Sequence, residues 1–386
     1  MGAKAHFSRF LGAHPQRLHF CAHSHHPWPD VSFEAQQQAW LDAADLIDAK
    51  WDKVFGEIVP TAQHHLARLL NLPDPGTICF GANTHEFVLR LLSSIEAQPF
   101  RVLTTDSEFV SFDRQLRRLE EAGRAEATRV PVEPFSSFVA RFTEAAQAGG
   151  HHLIYLSHVF FNSGYWIDDL RPIVDAVPSP RSLVVIDGYH AFMAVPIDLG
   201  RIAARAFYLG GGYKYAMSGE GAAWMHCPPG QVARPVNTGW LAELAQLSQR
   251  HGTALTYPDS GSRFWGATFD PTALYRFNAV MDWARRHQLS VPAIRAHALE
   301  LQREFLVLLD RLRHPVLSRA ALVPPEPLPR GNFLAFRHPQ AAHAHAQLQA
   351  ADVVSDRRGD RLRIGFGIYQ DRTDVAELAR RIGALH

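Results

Sequence analysis

LVVIDGYH at residues 183–190 and AFYLGGGYKY at residues 206–215 share a pattern: an apolar run of strand length that stops at residues of another kind. Four aliphatic residues, Leu183–Ile186, lead into Asp187, and Ala206–Leu209 lead into three glycines and Lys214. Runs this short and apolar throughout fit strands covered on both faces. Outward from this pair the texture recurs at Thr77–Phe80, Arg101–Thr104, Thr128–Val132, Leu153–Ser157 and Ala222–His226. Helical stretches such as Glu86–Ile95 and Phe109–Ala122 lie between them. Seven short strands interleaved with helices predict an α/β fold with a mostly parallel sheet.

Upstream, apolar positions at three- and four-residue spacing from Trp40 to Ile58 predict helix over residues 31–70. Pro60 reads as a break before a second helix, Thr61–Leu70. Downstream, residues 230–262 are loop-rich, and a long helical region runs from Leu274 to about Leu312. Strand-like segments follow at Asn332–Arg337, Asp352–Asp356 and Leu362–Phe366, then a terminal helix, Asp374–Ile382. The expected organisation is an N-terminal segment (1–30), a large domain (31–255) and a smaller C-terminal α+β domain (256–386), on which the N-terminal segment can pack.

Composition narrows the function classes. Hydrophobic residues at 47% and charged residues at 20% suit a globular chain with a sizeable core. Lys+Arg 39 against Asp+Glu 38 argues against non-specific nucleic-acid binding and against adhesion to anionic membranes. No apolar run is long enough for a membrane span, and MGAKAHFSRF lacks the apolar core of a signal peptide, so the expected location is cytoplasmic. Three widely spaced cysteines give no disulfide framework. Among 22 histidines, His23, His25 and His26 cluster; with no carboxylate or cysteine spaced to join them, they read as pocket-lining groups and not as a metal site.

Function in such sheets gathers at the C-terminal strand ends. There Asp187 needs a cationic or hydrogen-bonding partner, because little water reaches it. Lys214, set among aromatic rings, should have its ammonium disfavoured and its amine made nucleophilic. Gly81-Ala82-Asn83-Thr84 opens a helix after a strand, which suits either a phosphate or simple capping. A nucleophilic lysine, a buried aspartate and an anion site together are what pyridoxal phosphate requires.

The segments GANTHEFVLRLL (81–92), TTDSEFVSFDRQL (104–116), LIYLSHVFFNSGYWIDDL (153–170), VVIDGYHAFMAVPIDL (184–199), GGGYKYAMSGEGAAWM (210–225), VNTGW (236–240) and LRIGFGIYQDRTDV (362–375) resemble, in order, the class V (fold type I) pyridoxal-phosphate aminotransferase superfamily, and within it kynureninases most. The resemblance implies a seven-stranded large domain, a homodimer with shared active sites and an amino-acid substrate. It implies Lys214 as the Schiff-base lysine, Asp187 on the pyridinium nitrogen, His190 beside it, Tyr213, Asn83 and Thr84 near the phosphate, and Phe109 stacked on the ring. Arg363 would hold the substrate α-carboxylate, Trp240 and Thr268 would reach across the dimer, and His25 would touch the substrate.

Three departures bear on the substrate. His23-Ser24-His25-His26 stands in place of the family's Asn-Ser-Leu-Gly; the family's ring-facing histidine has no match in WDKVFGEIVP; and Asp113 lies one residue late. The segment His23–Trp28 and the loop Trp51–Ile58 are therefore expected to form the wall that selects the side chain. Hydrolytic Cβ–Cγ cleavage is the leading expectation, with an aminotransferase or epimerase as the alternative. Cysteine desulfurase chemistry is disfavoured, as no cysteine follows Cys227.

Overall fold

A computed structural model describes residues 2–231, 233–249 and 255–385. After a short strand β1 (Leu18–His19), seven strands build the main sheet: β2 (Ile78–Gly81), β3 (Phe100–Thr105), β4 (Ala125–Val130), β5 (Leu153–Ser157), β6 (Leu183–Asp187), β7 (Ala206–Gly211) and β8 (Ala223–His226). Their order is β2-β8-β7-β6-β5-β3-β4. β8 runs antiparallel to both neighbours, and the other pairings are parallel. Every residue of β2, β5, β6, β7 and β8 is buried, the signature of a sheet covered on both faces. β4 is the exception. At the sheet edge it buries only Ala125 and Val130, so its apolar run reads three residues late in the sequence.

The helices are α1 (Val31–Leu46), α2 (Val59–Leu70), α3 (Thr84–Ser93), α4 (Val110–Glu121), α5 (Phe135–Gln147), α6 (Thr272–Arg286) and α7 (Val291–Leu312), with shorter turns between. Pro60 breaks nothing. It sits where a π-helical turn, Val54–Ile58, runs directly into α2, and that wider turn accommodates a residue with no N–H to give. The interruption falls earlier, at Ile47, whose φ is +50°. The long region after Leu274 is two helices, parted at Gln288 (φ +55°) and restarted by Ser290, whose side chain accepts the Ala293 N–H.

A second core gathers α7 from Ala298 onward with β9 (Phe333–Arg337), α8 (Ala341–Ala350), β10 (Val353–Val354), β11 (Asp356–Arg358), β12 (Arg361–Gly365) and α9 (Arg372–Gly383). β11, β12 and β9 form an antiparallel sheet. The chain's beginning is tied here: Leu18 and His19 pair in parallel with Val353 and Val354, Gly365 donates its N–H to the Phe20 carbonyl at 2.7 Å, and Lys4 meets Asp374 at 2.7 Å. Residues 21–26 thereby form a strap, fastened to the large sheet by the His26 N–H on the Tyr213 carbonyl at 3.1 Å. No helix of the described residues is long and apolar enough to cross a membrane.

Candidate active site

β6 delivers Asp187 with its backbone paired and its carboxylate buried. Oδ1 accepts the Tyr189 N–H at 2.9 Å and Oδ2 accepts the Tyr155 hydroxyl at 3.2 Å. At the end of β7 the glycines make room for side chains. A Cβ on Gly210 would lie 2.2 Å from the Trp224 ring, and one on Gly211 would lie 2.3 Å from the Tyr189 hydroxyl.

Lys214 follows, buried, with Nζ 2.7 Å from His190 Nε2. Its Nζ stands 4.7 Å from the Tyr189 ring centroid and 5.5 Å from those of Phe109 and Tyr213. Burial lowers its pKa to about 7; the Asp187 carboxylate opposes that fall and Arg363 adds to it. Burial, reinforced by Lys214, holds His190 well below the usual histidine range. A neutral His190 can therefore accept the amine's hydrogen bond. The arrangement gives an amine that is substantially unprotonated near neutral pH and so able to attack a carbonyl.

The other expected residues fall into three places. Asn83 caps α3, its Oδ1 accepting the Glu86 N–H at 3.1 Å, with Thr84 in the first turn. Trp240 Nε1 donates to Thr268 Oγ1 at 3.2 Å on the exposed surface. His25 is exposed, stacked on Tyr213 with centroids 5.1 Å apart and facing Glu220 at 3.5 Å. His23 and His26 are both enclosed: His26 Nδ1 meets the Pro27 carbonyl at 2.7 Å, while His23 stacks on Phe333 at 4.6 Å with both ring nitrogens buried and unpartnered. Trp51 and Phe55 pack with Trp265 and Phe269, the segment that carries Thr268.

Arg363 reaches the site from β12. Nε and Nη2 both engage Asp356 Oδ1, at 2.7 and 2.6 Å, and Nη1 donates to the Phe161 carbonyl. Three of the five guanidinium N–H groups are thus used, leaving two, one on each terminal nitrogen. That pair is the fork a carboxylate accepts end-on. Burial lowers the Arg363 pKa and Asp356 opposes the effect.

Cys21 and Asp356, which spacing along the chain did not join to the histidines, bring their ligand atoms and one of His23 within 4.8 Å of one another. Asp356 is already engaged by Arg363, and that positive charge works against a cation there. Sequence reasoning also passed over Tyr155 and Glu108, because nothing in a single sequence marks them as buried.

The family described as Kynureninase C-terminal domain matches residues 294–382, which include Arg363. The chain is 26% identical over 355 residues to an isopenicillin N epimerase from Streptomyces clavuligerus, covering 84% of this chain and 83% of that protein. It is 25% identical over 240 residues to a kynureninase from Pseudomonas fluorescens, covering 60% and 56%. Among solved structures it resembles a Lys-to-Ala mutant of C-DES with glycine linked to its pyridoxal-phosphate cofactor (TM-score 0.81, 17% identity, 97% and 98% covered). It also resembles a cysteine desulfurase from Thermococcus onnurineus NA1 (TM-score 0.79, 14% identity, 100% and 98% covered). The chain shares the fold of the fold type I pyridoxal-phosphate enzymes, and the relatives support the class V superfamily for it.

The class V cofactor fits what the chain presents. A buried, largely neutral amine lies in the field of a buried carboxylate on the neighbouring strand and 5.5 Å from an aromatic ring. His190, on that amine through Nε2, keeps its Nδ1 buried without a partner. A planar, anionic aldehyde with a basic ring nitrogen uses each of these groups.

Proposed function

We propose that this chain binds pyridoxal 5'-phosphate and acts on an α-amino acid by kynureninase-like hydrolytic cleavage of a Cβ–Cγ bond, on a side chain different from that of kynurenine itself. The observation that carries the reading is the Lys214–His190–Asp187 cluster together with the two remaining donors of Arg363, which lies inside the segment matching the kynureninase family. When bound, the cofactor supplies an electron sink for the substrate's Cα. Lys214 would hold it and, as a neutral amine, would take the Cα proton, with His190 orienting that amine. Asp187 would keep the ring nitrogen protonated, Phe109 and Tyr213 would border the ring, and Asn83 and Thr84 would offer first-turn amides to the phosphate. Arg363 fixes the α-carboxylate, and the strap residues His23 and His25 border the side chain. In this reading two chains pair, and Trp240 and Thr268 of each complete the other's site.

The isopenicillin N epimerase relative, matched over more of the chain, favours a second reading in which reaction stops at proton transfer on Cα. One set of measurements separates the two. Purified protein should show a visible cofactor band, and borohydride reduction with peptide mapping should mark Lys214. Incubation with L-kynurenine and 3-hydroxykynurenine, assayed for alanine and the anthranilate, tests the cleavage. Alanine release supports it; solvent exchange or inversion at Cα with no alanine from these or from other amino acids carrying a γ-carbonyl would sink it. The altered strap leads us to expect kcat/KM below about 10⁴ M⁻¹s⁻¹ for unmodified L-kynurenine.

A further inference from the structure

Glu108 is a carboxyl the proposed reaction does not use, and it sits in the middle of the machinery. It precedes Phe109 and is buried. Oε1 accepts the Thr105 hydroxyl at 2.7 Å and the Ser157 N–H at 3.2 Å, and Oε2 meets the Ser157 hydroxyl at 2.7 Å. Ser157 is the register partner of Asp187 across β5 and β6, so two buried carboxyls flank one strand residue. Burial favours the protonated form of each carboxyl, and the charge of Asp187 adds to that at Glu108.

Chemistry decides which carboxyl keeps a proton. Burial raises the Asp187 carboxyl too, but the Tyr189 N–H, which can only donate, fixes its Oδ1, and whatever positive charge Lys214 carries favours its anion. Glu108 has no such cation among the groups acting on it; its charged neighbour is Asp187. Two of its three hydrogen-bond partners are hydroxyls, which accept as readily as they donate. A protonated Glu108 therefore loses no bond.

We propose that Glu108 is a positioning residue that holds the proton of this pair, leaving the single negative charge on Asp187. The inference rests on the reading of Asp187 given above. Burial pushes the Glu108 carboxyl up to about 7, with Asp187 adding to the rise while the Ser157 and Thr105 bonds oppose it. The titratable groups facing the pair are Tyr155 from β5, Tyr208 from β7, and Tyr189, Tyr213 and Lys214 around Asp187, with the two carboxyls themselves; burial raises every one of these tyrosines. Tyr155 is held well above the phenol range by burial and by both carboxyls, so it takes no part near neutrality.

The test is infrared difference spectroscopy of the purified holoenzyme, titrated from about pH 5.5 to about pH 8.5. A protonated-carboxyl stretch should fade with a midpoint near 7, and Glu108→Gln should abolish it. A stretch that survives Glu108→Gln and vanishes in Asp187→Asn would place the proton on Asp187 and overturn the proposal; so would a spectrum with no such stretch. Should Glu108→Gln not fold, Ser157→Ala serves. It removes a hydroxyl that favours the anion, so the midpoint should move upward, and an unmoved midpoint overturns the assignment. The stretch belongs to the protein, whereas failure of the cofactor reading would show as a missing visible band.

Discussion

Replacing Arg363 by lysine keeps a positive charge at β12 and removes the planar fork, which makes it a sharp probe of how the two unused N–H groups act. We expect amino-acid binding to weaken by about 1.5–3 kcal/mol, the range for a hydrogen bond to a charged group, seen in KM more than in kcat. An unchanged KM would point to another carboxylate anchor. Asp187→Asn should slow turnover by orders of magnitude while leaving the cofactor bound, and wild-type rates would remove Asp187 from the site. At this scale the sequence was informative wherever chemistry coincides with a strand end. Asp187 and Lys214 stand out because each interrupts an apolar run. Glu108 was silent, because a glutamate between Ser107 and Phe109 has the look of a loop residue until its burial is seen. His23 and His25 are likewise indistinguishable in sequence, and only packing on Phe333 turns one inward.

The strap and the β1 residue that leads into it are sensitive to acid. Burial lowers the pKa of His19 to about 4 and of His26 to about 3, and burial with Arg363 and Lys214 holds His23 well below 6.5. Each must stay neutral in the folded chain but can bind a proton once unfolded. Their contribution is therefore present above about pH 6.5 and is lost as pH falls from there toward the folded values. At about pH 5 each fully buried histidine should remove roughly 2 kcal/mol of stability. Urea denaturation at about pH 7.5 and about pH 5 measures this, and His26→Gln should flatten the dependence; equal midpoints at both values would refute it. Elements were legible where burial was uniform, as in β5 and β6, whose bounds match the sequence reading. They were misread where a single residue decides, as with the positive φ at Ile47 and Gln288. β1 escaped notice because two residues carry no periodicity.

At the level of the whole molecule, the sharing of sites between two chains has a direct test. Lys214→Ala and Trp240→Ala with Thr268→Ala should each be inactive alone, yet mixing them should restore roughly a quarter of wild-type activity. Half of randomly mixed dimers then pair unlike chains, each with one intact site. No recovery would mean that Trp240 and Thr268 serve their own chain. The alternation of strands and helices made the large sheet readable, but not the reversal of β8 or the attachment of the chain's beginning to its last 35 residues. That attachment has a temporal consequence. Leu18 pairs with Val353, a separation of 335 residues (353 − 18). On a ribosome adding about 5–20 residues each second, residue 18 waits roughly 20–70 s for its partner to be made. During that interval the large sheet can assemble, but His23 and His26 have no lid to form and Arg363 does not yet exist. The nascent chain can thus hold a finished sheet and an open, unguarded lysine, and the site closes only once residues 353–365 have been made.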